Sequence, residues 1–309
     1  MGDLMSTTEG QIQVNASAIN KTTSRAEEWK RAWHRMRKST LSMVGLIVVI
    51  VIILLAIFAP FVAPYPEDAG NAIHFDQTLQ PPSAEHWFGT DEIGRDIFSR
   101  VLYGARISLV LGFTVLLLAI AIGVPLGLIA GFWGGKVNTL IMRTADIFLS
   151  VPSLVLAFAV AALFQPTLTT IMIAISFSWW PWFARLVQGE VLSLKNEQFV
   201  LASLGMGASK WRIAFKEILP NCISPIIVKS TLDIGFVILM GASLGFLGLG
   251  AEPPTPEWGT MIAEGRGYLP DAWWAATFPG LAILVTVIAF NLLGDGLRDV
   301  FDVQVDQQG

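Results

Sequence analysis

Charged residues are scarce in this chain: they make up 14% of its 309 residues, where a soluble domain carries about a quarter. That scarcity excludes a disordered chain, a nucleic-acid-binding domain and an ordinary soluble enzyme. A single cysteine, Cys222, excludes a disulfide framework and a cysteine-ligated metal site. Histidine is nearly as rare, limited to His34, His74 and His86. No Gly-x-x-x-x-Gly-Lys-Ser/Thr segment occurs, so the sequence holds no P-loop.

What is plentiful is apolar: 53% of the residues are hydrophobic. They fall in uncharged runs at Leu41–Ala63, Ile107–Gly135, Ile147–Ala184, Ile234–Ala251 and Ala272–Gly294. A bilayer core takes about 20 helical residues, so the run from Ile147 is almost twice too long for one crossing. Gln165-Pro166-Thr167 interrupts it with a turn signal, which divides it into a helical hairpin. Six transmembrane helices result. The runs are apolar on every side, unlike the alternating strands of a membrane barrel. The first run is too long for a cleaved signal peptide and reads as an uncleaved anchor.

The few charges orient the bundle. Lys21, Arg25, Lys30, Arg31, Arg35, Arg37 and Lys38 precede the first span, Lys136 and Arg143 follow the second, and Arg298 lies in the tail. Arg185, Lys195, Lys210, Arg212, Lys216 and Lys229 lie between the fourth and fifth spans. Only Arg95, Arg100, Arg106 and Arg266 fall on the other side. The excess places both termini in the cytoplasm. Loops 64–106 and 252–271 are then external and acidic.

Three segments outside the membrane stand out. The leader 1–40 carries a basic amphipathic stretch, Trp29–Lys38, suited to the inner membrane surface, with partner binding as a second reading. Its start also matches the short myristoylation pattern. In the outer loop, apolar residues from Ile93 to Leu102 predict a short helix lying on the outer face, capped near Thr90-Asp91. The cytoplasmic loop 189–221 predicts a helix over 197–204, a break at Gly205 and Gly207, and a second helix over 209–219 that Pro220 ends. Small residues Ala202, Ser203, Gly205 and Gly207 let another protein approach the backbone closely. Trp211, Phe215 and Ile218 add an apolar stripe that a cytoplasmic loop need not expose. This is a docking element.

These residues carry a resemblance. Ala202-Ser203, Gly207 and Leu219-Pro220 resemble the EAA loop of ABC-importer permease subunits, departing from its pattern at Leu201, Ser203, Glu217 and Ile218. The blocks from Phe88 to Arg100, Leu244 to Ala251, Pro253 to Gly259 and Phe290 to Asp299 resemble the C-type permease of dipeptide/oligopeptide ABC importers, from about Arg35 to Asp302. The resemblance implies a type I ABC-importer permease fold in the bacterial cytoplasmic membrane. It implies a homologous second permease, two cytoplasmic ATPase subunits and an extracytoplasmic peptide-binding protein as partners. The bent loop, with Ala202, Ser203, Gly205, Gly207, Trp211, Leu219 and Pro220, would seat on one ATPase. ATP would be used there, and this chain would need no cofactor and hydrolyse nothing. Importers of nickel, glutathione or D,D-dipeptides belong to the same family.

Other features have a plainer reading beside a sharper one. Gly241-Ala-Ser243-Leu-Gly245 matches a serine-hydrolase pattern, yet no histidine lies within the spans, so the glycines read as a helix–helix contact. Gly123, Gly127 and Gly131 form a similar ridge. Arg143 with Asp146, and Lys229 with Asp233, read as local pairs at the membrane edge, the alternative being a coupling-ion site of a secondary transporter. His74, Asp76, His86 and Asp91 are weak metal-ligand candidates. Trp179, Trp180 and Trp182 read as belt residues, and so do Trp273 and Trp274, which also offer a stacking surface for a peptide. The resulting architecture is an all-α polytopic membrane protein: leader 1–40, permease domain 41–302 and tail 303–309.

Overall fold

The computed structural model describes residues 36, 37 and 39–302. The predicted leader helix, apart from Met36 and Arg37, and the tail 303–309 lie outside the described residues. Among those described the chain is helical, with one isolated bridge between Thr90 and Asp96. The elements are α1 (Thr40–Ile57), α2 (Ala59–Val62), α3 (Ile97–Trp133), α4 (Gly135–Leu149) and α5 (Ser153–Ala161). Then come α6 (Leu168–Leu194), α7 (Gln198–Gly205), α8 (Lys210–Leu249), α9 (Trp258–Gly265) and α10 (Trp274–Asp302).

Four of these, α1, α3, α8 and α10, are long and apolar enough to cross a membrane. The bent pair α4 and α5 makes a fifth if it counts as one crossing. α6 has 27 residues, uncharged from Leu168 to Ala184, but its Ser, Thr, Pro and Trp residues lower its mean hydropathy.

The sequence boundaries shift for identifiable reasons. The helix expected on the outer face is the first turns of α3. Asp96, not Thr90 or Asp91, is its N-cap and accepts from the Ser99 amide at 2.7 Å. Asp91 instead closes a turn over the Ile93 and Arg95 amides, at 3.1 and 2.9 Å. The third apolar segment starts at Gly135 rather than Ile147, and its two halves meet at 86° across Ser150-Val151-Pro152. Pro152 favours this break because a residue before proline avoids the α region. The hairpin at Gln165-Pro166-Thr167 is present, with Thr167 capping α6 through the Thr170 amide.

Pro220 does not end a helix. A wide π segment, Ile213–Ile218, and a tight 3-10 segment, Leu219–Cys222, pass the proline and carry α8 on to Leu249. The altered hydrogen-bond register absorbs the missing amide donor.

Close approach of backbones builds the core. α3 packs along α6 on the glycine ridge: a Cβ on Gly127 would strike the Ala184 carbonyl, and one on Gly131 would lie 2.7 Å from Val191 Cβ. A Cβ on Gly241 would lie 2.8 Å from Leu111 of α3 and one on Gly245 would strike Glu257, so these two glycines of α8 serve packing. The Ser243 hydroxyl donates to the Leu239 carbonyl at 2.8 Å inside the same helix. No strand-to-helix turn presents it.

The segments that precede α3 and flank α9 form a cap over one end of this bundle. Trp258 is 2% exposed and donates to the Val101 carbonyl at 3.0 Å, while Trp274 donates to the Thr90 carbonyl at 3.2 Å. Trp274 is therefore a buried tie rather than a stacking platform; Trp273 stays exposed. Arg100 is buried and reaches Glu264 at 3.5 Å and Asp91 at 3.5 Å, and Arg95 holds Asp91 at 2.7 Å.

Candidate functional site

The loop between α6 and α8 forms a bent projection. α7 follows Glu197, which holds an extended conformation, and runs through Ala202 and Ser203 to Gly205. Beyond it the chain reverses at Gly207, whose φ of +80° is a region that side chains rarely adopt. The Gly207 and Ala208 amides donate to the Leu204 and Ser203 carbonyls, each at 3.0 Å, and so close the turn. Ser209 then caps α8 by accepting from the Arg212 amide at 3.3 Å. No atom lies within 4 Å of a Cβ built on Gly205 or Gly207. The bend presents bare backbone.

Two faces of this projection differ in chemistry. Val200, Ile213, Ala214 and Ile218 are fully buried and anchor it to the bundle. Ile218 accordingly leaves the apolar stripe expected of it, because the π segment turns it inward. Met206 is 81% exposed and Trp211 58%, and Leu201, Leu204 and Phe215 are exposed beside them. Trp211 rests on Trp133 at the end of α3, ring centres 4.5 Å apart, and Phe215 stacks beneath it at 5.7 Å. Lys210, Arg212 and Lys216 are exposed around this apolar patch, whereas Leu219 and Pro220 are half-buried at its base. Sequence reasoning missed Leu201, Leu204 and Met206, since helical spacing does not tell which face of a short helix is anchored.

The charged pairs divide. Lys229 Nζ lies 3.0 Å from Asp233 Oδ2, and Trp179 Nε1 donates to the same oxygen at 2.8 Å. The pair packs between α6 and α8, near the midpoint of the Ile223–Leu244 stretch of α8. Trp179 and Trp180 are therefore buried, while Trp182 is exposed and fits a belt position. Asp146 takes Arg185 of α6 as its partner, not Arg143, because the α4–α6 contact turns Asp146 toward α6 and leaves Arg143 exposed.

The histidines are also paired, and separately. His74 meets Asp68 at 2.9 Å and His86 meets Asp96 at 3.0 Å, so neither joins Asp76 or Asp91. Among the described residues no group of three or more His, Cys, Asp or Glu is placed to hold a metal. A recess between α3, α9 and α10, lined by Arg100, Glu264 and Tyr268, has a volume of about 10 Å³, room for about one water molecule. Burial, and then the nearby Glu264 and Asp91 carboxylates, push Glu92 above the usual carboxylate range. Burial likewise raises Glu264, against the pull of Arg100 and Arg95.

Known proteins share this arrangement. Residues 123–307 match the family described as binding-protein-dependent transport system inner membrane component. Residues 28–82 match the N-terminal TM domain of oligopeptide transport permease C. The dipeptide transport system permease protein DppC of Alkalihalophilus pseudofirmus is 47% identical over 89% of this chain and 89% of its own length. The probable D,D-dipeptide transport system permease protein DdpC of Escherichia coli is 45% identical over 88% and 90%. The glutathione transport system permease protein GsiD of Escherichia coli is 45% identical over 96% and 97%. A chain of the MetNI methionine ABC transporter, solved facing inward, shares the fold with a TM-score of 0.56 at 19% identity, over 66% of this chain and 97% of that one. The chain belongs to the family of binding-protein-dependent transport system inner membrane components, as a C-type dipeptide/oligopeptide permease.

Proposed function

We propose that this chain is one of two homologous permease subunits of an ATP-driven importer that carries short peptides across the bacterial cytoplasmic membrane. Four long apolar helices, the bent α4–α5 pair and α6 together make six crossings, with both termini in the cytoplasm as the lysine and arginine placement requires. Two ATPase subunits lie beneath, and the projection from Ala202 to Trp211 seats on one of them. A binding protein delivers peptide to the outer cap.

The observation that carries this reading is the projection itself. Met206 and Trp211 are exposed beside a bare-backbone bend at Gly207, followed by exposed Lys210, Arg212 and Lys216. An apolar patch of that kind, on a loop that the membrane does not cover, fits a partner protein. ATP-driven closure of the ATPase pair would move the projection, and α8, continuous from Lys210 to Leu249, would transmit the movement into the membrane.

The substrate class rests on relatives whose names record dipeptides, D,D-dipeptides and glutathione. All three are peptides or a peptide derivative, so a short peptide is the first reading and glutathione or a D,D-dipeptide the second. Purification from membranes tests the assembly: tagged chain should bring down a homologous permease and ATPase subunits. Transport by the chain alone, driven by an ion gradient without ATP, would overturn the importer reading.

A further inference from the structure

A cation and an anion are paired between α6 and α8, and they are held unequally. Asp233 stands near the middle of the Ile223–Leu244 stretch of α8. It is 7% exposed. Its Oδ2 accepts from the Trp179 indole at 2.8 Å and from Lys229 at 3.0 Å, and its Oδ1 lies 3.2 Å from Lys229. The carboxylate is thus committed on both oxygens.

Lys229 is not. An ammonium has three donors, and Asp233 engages only one side of it. Its side chain keeps 24% exposure. Flanking it are the faces of Trp182 and Phe183, 5.4 and 5.8 Å from Nζ, at a distance where ring electrons stabilise a cation. On the same face of α8, Phe236 is exposed two turns further on. A charge opening toward hydrocarbon is expensive, so the open side of Lys229 must meet water or another polar group. A cation whose counter-ion is fixed from behind by an indole is a ready acceptor for a second anion.

We propose that Lys229 stands in the substrate path and receives the carboxylate of a passing peptide, with Asp233 and Trp179 as the residues that position it. This rests on the peptide-importer reading above and assigns a substrate contact within it. The two carboxylates share one ammonium, so the peptide is held briefly and released, as conduction through a membrane requires.

The test uses the complete importer in proteoliposomes, supplied with peptide-loaded binding protein. The exchanged variant Lys229→Asp/Asp233→Lys keeps an ion pair but moves the cation one turn along α8. Peptide uptake per assembled complex should fall by at least about tenfold; complex yield should fall as well, because the exchange removes the acceptor of the Trp179 indole. Lys229→Arg should keep most of the uptake. Uptake by the exchanged variant equal to that of the unaltered importer would overturn the proposal, since the pair would then serve structure alone. Lys229→Cys in a Cys222→Ser background gives an independent measurement. An anionic, membrane-impermeant thiosulfonate should label it, and peptide should protect it; absence of labelling overturns the proposal even if the exchanged variant fails to assemble. An unaltered importer that takes up no peptide would instead overturn the peptide reading, whatever Lys229 does.

Discussion

The indole Nε1 of Trp179 donates to the Asp233 carboxylate at 2.8 Å, and through this bond α6 grips α8 in the middle of the bundle. The two residues lie 54 positions apart in the chain. A hydrogen bond to a buried charge contributes about 1.5–3 kcal/mol, more than a bond between neutral groups. Trp179→Phe keeps most of the buried ring and loses the donor, so it should destabilise the folded protein by about 2 kcal/mol. Thermal unfolding in detergent measures this; an unchanged melting temperature would show that Lys229 alone satisfies Asp233.

Gly207→Asp should leave membrane insertion and folding nearly intact, because a Cβ there meets nothing within 4 Å. The positive φ adds a strain cost of about 1 kcal/mol. Uptake should nevertheless be abolished, because a charged side chain stands where the ATPase must approach the backbone. ATPase co-purification and uptake measured together check it. Normal uptake would remove the coupling role from this bend.

Gly127→Leu should fail differently. Its Cβ would strike the Ala184 carbonyl, so α3 and α6 must separate, at a cost of at least about 1–3 kcal/mol. Reduced folded yield should precede any effect on transport, whereas Gly189→Ala, with open space around it, should fold normally. Size-exclusion profiles of the two variants in detergent compare them directly.

The cap that holds Glu92 and Glu264 should respond to pH through them, since both are raised above the usual carboxylate range chiefly by burial. A raised acid stabilises the fold in its protonated form. That contribution is complete below the ordinary glutamate pKa and is lost as pH climbs through the raised value. The melting temperature should therefore decline as pH rises above the ordinary glutamate range, and Glu92→Gln should flatten that decline. Equal slopes in the two proteins would exclude Glu92 as a source.

Much of this was legible locally. The glycines of the bend at Gly205 and Gly207, the Gly123–Gly131 ridge and the Lys229–Asp233 spacing are short-range signals, and the structure places each as a distinct feature. The failures were long-range. Asp146 lies three residues from Arg143 yet pairs with Arg185, because helix packing decides which neighbour a side chain meets. His86 finds Asp96 rather than Asp91 because Asp91 is taken up by the Ile93–Arg95 turn and by Arg95. Pro220 looked like a terminator, since nothing in the local pattern announces a π segment that can absorb it.

The opening scarcity of charge is what the sequence by itself determined: uncharged runs long enough for a bilayer leave few alternatives to a helical membrane protein, because lipid satisfies no backbone polar group. The motif-bearing loop added the family. The tertiary structure alone decided where the remaining charges sit and how far each is satisfied. Trp179 of α6 adds a third member to a pair that reads along the sequence as local to one helix, and leaves Lys229 partly open. That distinction depends on two helices meeting side by side, and spacing along one helix carries no record of the other.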